Sequence, residues 1–111
     1  MNLTVLRALI KRAGAFQVVT AADGNEALAA LRAPGEAPFD LVLTDMWMPN
    51  LDGEGLVKAV RADPALAALK VVVVTADVEL HGKAEELGFD GILLKPVTLA
   101  TLLPVLPKSA Q

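Results

Sequence analysis

Three short apolar runs, each followed by one polar residue, constrain the fold of this chain most. The runs and the residues that follow them are 39–44 before Asp45, 71–74 before Thr75, and 92–94 before Lys95. Segments with helical spacing lie between the runs, and this alternation predicts a parallel sheet covered by helices on both faces. Because the carboxyl ends of parallel strands share one edge, we expect an acid, a hydroxyl and an amine to meet where open α/β sheets bind ligands.

The spacing of apolar residues predicts the individual elements. The predicted helices are 3–13, from Asp23 to about Arg32, 54–62, 77–87, and a last one from near Thr98; the predicted strands are 16–20, 39–44, 70–75 and 91–94. Glycines 14 and 88 end two of the helices, and Glu26 three residues after Asp23 forms a capping-box pattern. Pro104 and Pro107 are expected to kink the last helix or end it early.

Composition excludes several classes of protein. The 111 residues are enough for one domain, and a net charge of −3 with a pI near 5.0 argues against nucleic-acid binding. No apolar run approaches the roughly 18–20 residues of a membrane span. Neither an export signal nor a cysteine is present, which fits a cytoplasmic protein. The one histidine, His81, lies among charged residues and is interpreted as a surface side chain.

Several stretches together resemble the receiver domain of response regulators in two-component signalling. They are Phe39-Asp40-Leu41-Val42-Leu43-Thr44-Asp45-Met46-Trp47-Met48-Pro49-Asn50-Leu51-Asp52-Gly53, Val73-Val74-Thr75-Ala76, Gly88-Phe89-Asp90-Gly91-Ile92-Leu93-Leu94-Lys95-Pro96, and 18–28. The motif is most similar to receivers of hybrid histidine kinases. The resemblance implies a flavodoxin-like, doubly wound sheet, and we expect residues 1–111 to form a single receiver-like domain.

The resemblance also implies a role for each polar residue at the sheet edge. Asp45 is implied as the phosphoacceptor from a histidine kinase or its phosphotransfer domain, a signalling role rather than an enzymatic one. Lys95, before a cis bond to Pro96, would neutralise the phosphoryl charge, and a lysine ammonium suits this as a compact point charge. Thr75 would bond a phosphoryl oxygen, and the small Ala76 would leave access to Asp45.

Two departures from the family pattern affect the expected chemistry. The family's first strand, with the acidic pair that holds Mg²⁺, has no counterpart here, so Asp45 and the backbone carbonyl of Trp47 are a poor metal set. We therefore expect weak Mg²⁺ binding and slow or absent phosphorylation. In addition, Ile92 stands where receivers usually carry an aromatic switch residue, so output is expected to use loop movement or dimerisation. Pro49, Gly53 and Pro96 are interpreted as structural residues at the site.

The absent strand predicts a truncated sheet in which the chain starts inside its first helix and four strands remain. Such a sheet would lose buried side chains and backbone partners that a marginally stable domain needs. Three repairs are open: the 16–20 strand pairs directly with the 39–44 strand, a second copy covers the gap, or the natural chain extends upstream. We favour a homo-oligomer.

Two other functions compete with the phosphoacceptor reading. A degenerate receiver would bind partners without being phosphorylated, and the missing acidic pair favours it. A small hydrolase or transferase using Asp45 as nucleophile is disfavoured, because no nucleophile elbow or glycine-rich phosphate loop is present.

Overall fold

A parallel sheet of three strands forms the centre of the described part of the chain. The computed structural model describes residues 3–14, 16, 18–33, 39–45 and 52–106, apart from the side chains of 3–5 and 81. Strand β1 (Leu41–Asp45) pairs with β2 (Lys70–Thr75), and β2 pairs with β3 (Gly91–Leu94), in the order β1-β2-β3. The parallel register places all three carboxyl ends at one edge, with Asp45 opposite Val74 and Thr75 opposite Leu94.

Short helices alternate with these strands. They are α1 (Leu3–Ala13), α2 (Gly24–Arg32), α3 (Gly53–Ala62), α4 (Ala84–Leu87) and α5 (Leu99–Leu102), with 3-10 turns at Val78–Gly82 and Leu103–Val105. Strands 70–75 and 91–94 and helix 3–13 have the predicted bounds. The longest helix in the described ranges has 11 residues, and none there has the length and apolar character to cross a bilayer.

Strand β2 is buried on both faces, which is why it reads as a continuous apolar run. Val71 and Val73 face one hydrophobic cluster, to which α2, α3 and α4 contribute. Val72 and Val74 face the other, to which α1 and α5 contribute. These four valines are at most 3% exposed. The sheet is therefore covered on both sides, as the alternation of elements predicts.

Side-chain caps fix the starts of three helices. The carboxylates of Asp23 and Asp52 accept backbone N–H bonds from Glu26 and Gly55, both at 2.9 Å. Thr98 and Thr101 form a reciprocal capping box at the start of α5. Each cap satisfies an amide that has no partner within its own helix. The predicted starts at Asp23 and Thr98 are confirmed.

The predicted strand at 16–20 is wrong for the part of it that is described. Phe16 and Val18–Thr20 take part in no sheet ladder, so the described chain has three strands rather than four. Phe16 and Val18 pack partly buried against the cluster of α1 and α5, while Val19 is 58% exposed. The segment has the residue pattern of a strand. A strand also needs a neighbouring strand at hydrogen-bonding distance, and the local sequence does not specify whether one is there.

The predicted helix over 77–87 is also wrong in part, because it is divided into a 3-10 turn and the short α4. Asp77 accepts from the backbone N–H of Glu79 at 2.9 Å, a tight local turn. Gly82 lies at the division, and glycine is a poor helix former. The predicted end at Gly88 is confirmed, since Gly88 has the left-handed φ of +104° that glycine adopts readily.

Candidate functional site

Asp45 and Lys95 meet at the carboxyl edge of the sheet. The ammonium Nζ of Lys95 donates to Oδ2 of Asp45 at 3.3 Å, although the residues are 50 positions apart. Asp45 ends β1 and its side chain is 13% exposed, while the Lys95 side chain follows β3 and is 34% exposed. The sheet therefore presents a mostly buried carboxylate beside a cation that solvent still reaches.

The electrostatic environment keeps Asp45 ionised. Burial by itself raises the pKa of the Asp45 carboxyl. Hydrogen bonds to the carboxylate and nearby positive charge, including the hydrogen bond and the charge of Lys95, lower this pKa by more than burial raises it. The pKa of Asp45 thus lies below its ordinary value of 3.8. A carboxylate that stays charged at neutral pH is a competent oxygen nucleophile.

Thr75 ends β2, the strand next to both residues of this pair. Its side chain is buried, and its hydroxyl oxygen accepts the backbone N–H of Asp77 at 3.1 Å. Its carbonyl accepts the backbone N–H of Lys95 at 2.8 Å, which ties the lysine to the same edge. Ala76 follows and is exposed. The contact of Thr75 with Asp77 was not predicted, although the Thr-x-Asp spacing is typical of such a side-chain turn.

The structure describes some of the remaining predicted site residues and not others. The Lys95–Pro96 peptide bond is cis, as the resemblance implies. Gly53 is buried as the first residue of α3, directly after the capping Asp52. Trp47 and Pro49 lie outside the described residues, so the predicted carbonyl ligand and turn at those positions stay predictions.

Comparison with known proteins assigns the chain to a family. The family described as the response regulator receiver domain matches residues 1–106. The chain belongs to the response regulator receiver family. Chemotaxis protein CheY-3 of Vibrio cholerae is 35% identical over 106 residues, which are 94% of this chain and 79% of that protein.

Solved structures resemble the receiver in fold as well. The chemotaxis protein CheY4 of Vibrio cholerae, crystallised at low pH, is 33% identical with a TM-score of 0.78, over 91% of this chain and 82% of that one. The receiver domain of sensor histidine kinase PA1611 from Pseudomonas aeruginosa, solved with a magnesium ion in its active-site cleft, is 27% identical with a TM-score of 0.80. That match covers 94% of this chain and 84% of the other. The flavodoxin-like receiver fold and the role in two-component signalling follow.

The described residues of this receiver do not by themselves form a magnesium cage. Within the described part of the chain, no group of three or more acidic, histidine or cysteine residues is placed to hold a metal. Asp45 supplies one carboxylate, and Lys95 already contacts it. Mg²⁺ prefers six oxygen ligands in near-octahedral geometry, so one carboxylate is a poor fit.

Ile92 occupies the middle of β3 in the receiver, with no aromatic ring at that position. It is partly buried and packs against the cluster that includes Leu80, Ala84 and Phe89. Ile92 therefore lies between the sheet and the 78–87 segment, where an aliphatic side chain fills space. The side chain of His81 is outside the described atoms, and its predicted surface position stays a prediction.

Proposed function

We propose that this receiver accepts a phosphoryl group on Asp45 from a phosphohistidine of a histidine kinase or its phosphotransfer domain. What supports the proposal most is the 3.3 Å contact between Lys95 Nζ and Asp45 Oδ2 at the ligand-binding edge of the sheet. Phosphoryl transfer needs a positioned nucleophile and neutralisation of the phosphoryl charge. The carboxylate of Asp45 supplies the first, and the ammonium of Lys95 supplies the second.

The reaction is a displacement at phosphorus. A carboxylate oxygen of Asp45 attacks, an acyl phosphate O–P bond forms, and the P–N bond to the donor imidazole breaks. The departing nitrogen keeps the electron pair and takes a proton. The ammonium of Lys95, at the end of a long flexible side chain, stays next to the oxygens of the transferred phosphoryl group. The hydroxyl of Thr75 donates to one of these oxygens after the loop that follows Thr75 turns inward. Ala76 leaves the approach to Asp45 open because its side chain is a single methyl.

We propose that Mg²⁺ binds this chain weakly and that phosphorylation is slow. The single carboxylate of the described site supports this. Labelling by acetyl phosphate should accordingly depend little on metal. A steep rise of the labelling rate at millimolar Mg²⁺ would contradict it.

The alternative function is a degenerate receiver that binds a kinase or another receiver without phosphorylation. The poor metal set favours it, and the two functions differ in whether Asp45 accepts a phosphoryl group. Beryllofluoride, a phosphoryl analogue, added with excess Mg²⁺ separates them by amide NMR. Phosphoacceptor function predicts shifts at Thr75, Ala76 and Lys95 in the wild type that are absent in Asp45→Asn. Unchanged spectra in both proteins would favour the degenerate module.

We also propose that the receiver forms a homo-oligomer through β1. Among the described strands, β1 pairs with β2 alone. Its apolar residues 41–43 are only partly buried. Apolar side chains that one chain leaves partly exposed can be buried against a second copy of it. Light scattering should give a mass above that of one chain, and a monomer with cooperative melting would contradict this.

A further inference from the structure

The guanidinium of Arg61, at the end of α3, joins three segments of the chain. Its Nε and Nη2 donate to the carbonyl of Gly88 at 3.1 and 2.9 Å, and its Nη1 donates to the carbonyls of Ala67 and Leu69 at 3.0 and 2.6 Å. Its Nη2 also donates to Oδ2 of Asp90 at 2.6 Å. These contacts match the five donors of an arginine. Arg61 therefore ties α3 to the chain entering both β2 and β3.

Asp90 connects Arg61 to the sheet, because its side chain bonds both Arg61 and the backbone of β2. The same Oδ2 that accepts from Arg61 also accepts the backbone N–H of Val71 at 2.8 Å, and the Asp90 N–H donates to the Val71 carbonyl at 2.8 Å. The next ladder pair is Val72 with Gly91. Asp90 thus begins the β2–β3 ladder, and Arg61 fixes Asp90.

We propose that Arg61 is a positioning residue for Lys95, because it fixes the register of β3, the strand that directly precedes the lysine. β3 has four residues, about 13 Å at 3.3 Å per residue, and among the described strands it pairs with β2 alone. A strand this short is held by its ends, which are Asp90 on one side and the Lys95 N–H to Thr75 on the other. A shift at its start moves the side chain that meets Asp45.

The substitution Arg61→Lys keeps the positive charge but loses the hydrogen-bonding geometry of the guanidinium. The single side-chain nitrogen of a lysine cannot reach carbonyls on both entry segments and a carboxylate at once, because an ammonium lacks the planar fork of a guanidinium. The Arg61 side chain is 29% exposed, so its bonds are partly shielded from water. The substitution Arg61→Lys therefore loosens the start of β3 without removing a charge.

The first experiment measures the reactivity of the Lys95 amine toward an acetylating reagent, by mass spectrometry. An amine paired with a carboxylate reacts slowly, and Lys83, which is exposed, reports general reactivity. Arg61→Lys should raise the Lys95 rate about threefold or more, because loss of a partly exposed ion pair frees the amine for the reagent, and leave the Lys83 rate unchanged. The matched control is Arg32→Lys, whose arginine also ends a helix and pairs with an aspartate, Asp63, at 3.1 Å.

Unchanged Lys95 reactivity in a folded Arg61→Lys protein would overturn the proposal, as would an equal rise in Arg32→Lys. If Arg61→Lys does not fold, Asp90→Asn provides the same test, because it removes the ion pair and keeps an oxygen for the Val71 N–H. The importance of Arg61 for phosphoryl transfer rests on the function proposed above. Absent labelling of wild-type Asp45 would refute that function, while the amine rates would still decide the role of Arg61.

Discussion

Leu102 on α5 offers the sharpest test of how the sheet is supported. It is fully buried and packs in one cluster with Val72 and Val74 of β2 and Leu93 of β3. The next residue, Leu103, is 50% exposed. The chain therefore provides two leucines, adjacent in sequence, that differ in burial.

The substitution Leu102→Ala removes apolar contacts and leaves a cavity under the sheet. A fully buried Leu→Ala change costs about 3 kcal/mol, within a usual range of roughly 2–5. The matched Leu103→Ala change costs about 1 kcal/mol, because only half of that side chain leaves water. The difference of about 2 kcal/mol corresponds to a roughly thirtyfold difference in the unfolding equilibrium constant.

Urea denaturation followed by far-UV circular dichroism measures both variants against the wild type. We expect the midpoint of Leu102→Ala to fall well below that of Leu103→Ala, with similar slopes. Equal midpoints for the two variants would refute the packing of α5 beneath β2 and β3.

Two further predictions concern the site and the backbone. Because the pKa of Asp45 is lowered in the folded protein, its ionised carboxylate stabilises the fold above the ordinary pKa and less as pH falls through the folded value. The difference in unfolding free energy between wild type and Asp45→Asn should therefore decline from about pH 5 toward pH 3, and a pH-independent difference would contradict the lowered pKa. Gly88→Ala should cost about 1–2 kcal/mol because of the positive φ, whereas Gly82→Ala, where a Cβ meets open space, should be neutral or stabilising by up to about 1 kcal/mol; equal thermal midpoints would contradict both.

The elements with strong local signals were predictable from the sequence. Helix α1 has its predicted bounds because apolar spacing marks its body and Gly14 follows its end. Strands β2 and β3 were also predictable, since each is a short apolar run between polar or glycine positions. Their carboxyl edge then follows from parallel pairing, so Asp45 and Lys95 could be expected at one site.

The features that depend on distant partners were not predictable. The 16–20 segment has a strand pattern, but no local signal states whether a neighbour lies beside it. The division of the 77–87 helix reflects a balance between the turn at Asp77 and the poor helix propensity of Gly82. The bonds of Arg61 go to main-chain carbonyls, and every residue has one, so the sequence does not identify the acceptors.

Mapping the phosphorylated residue tests the central claim most directly. After prolonged incubation with acetyl phosphate, borohydride reduction of an acyl phosphate marks the modified carboxylate for peptide mass spectrometry. We predict a single modified residue, Asp45, with the mark absent in Asp45→Asn and much reduced in Lys95→Ala. An unmodified Asp45, or a mark on another carboxylate, would contradict the assignment of Asp45 as the phosphoacceptor.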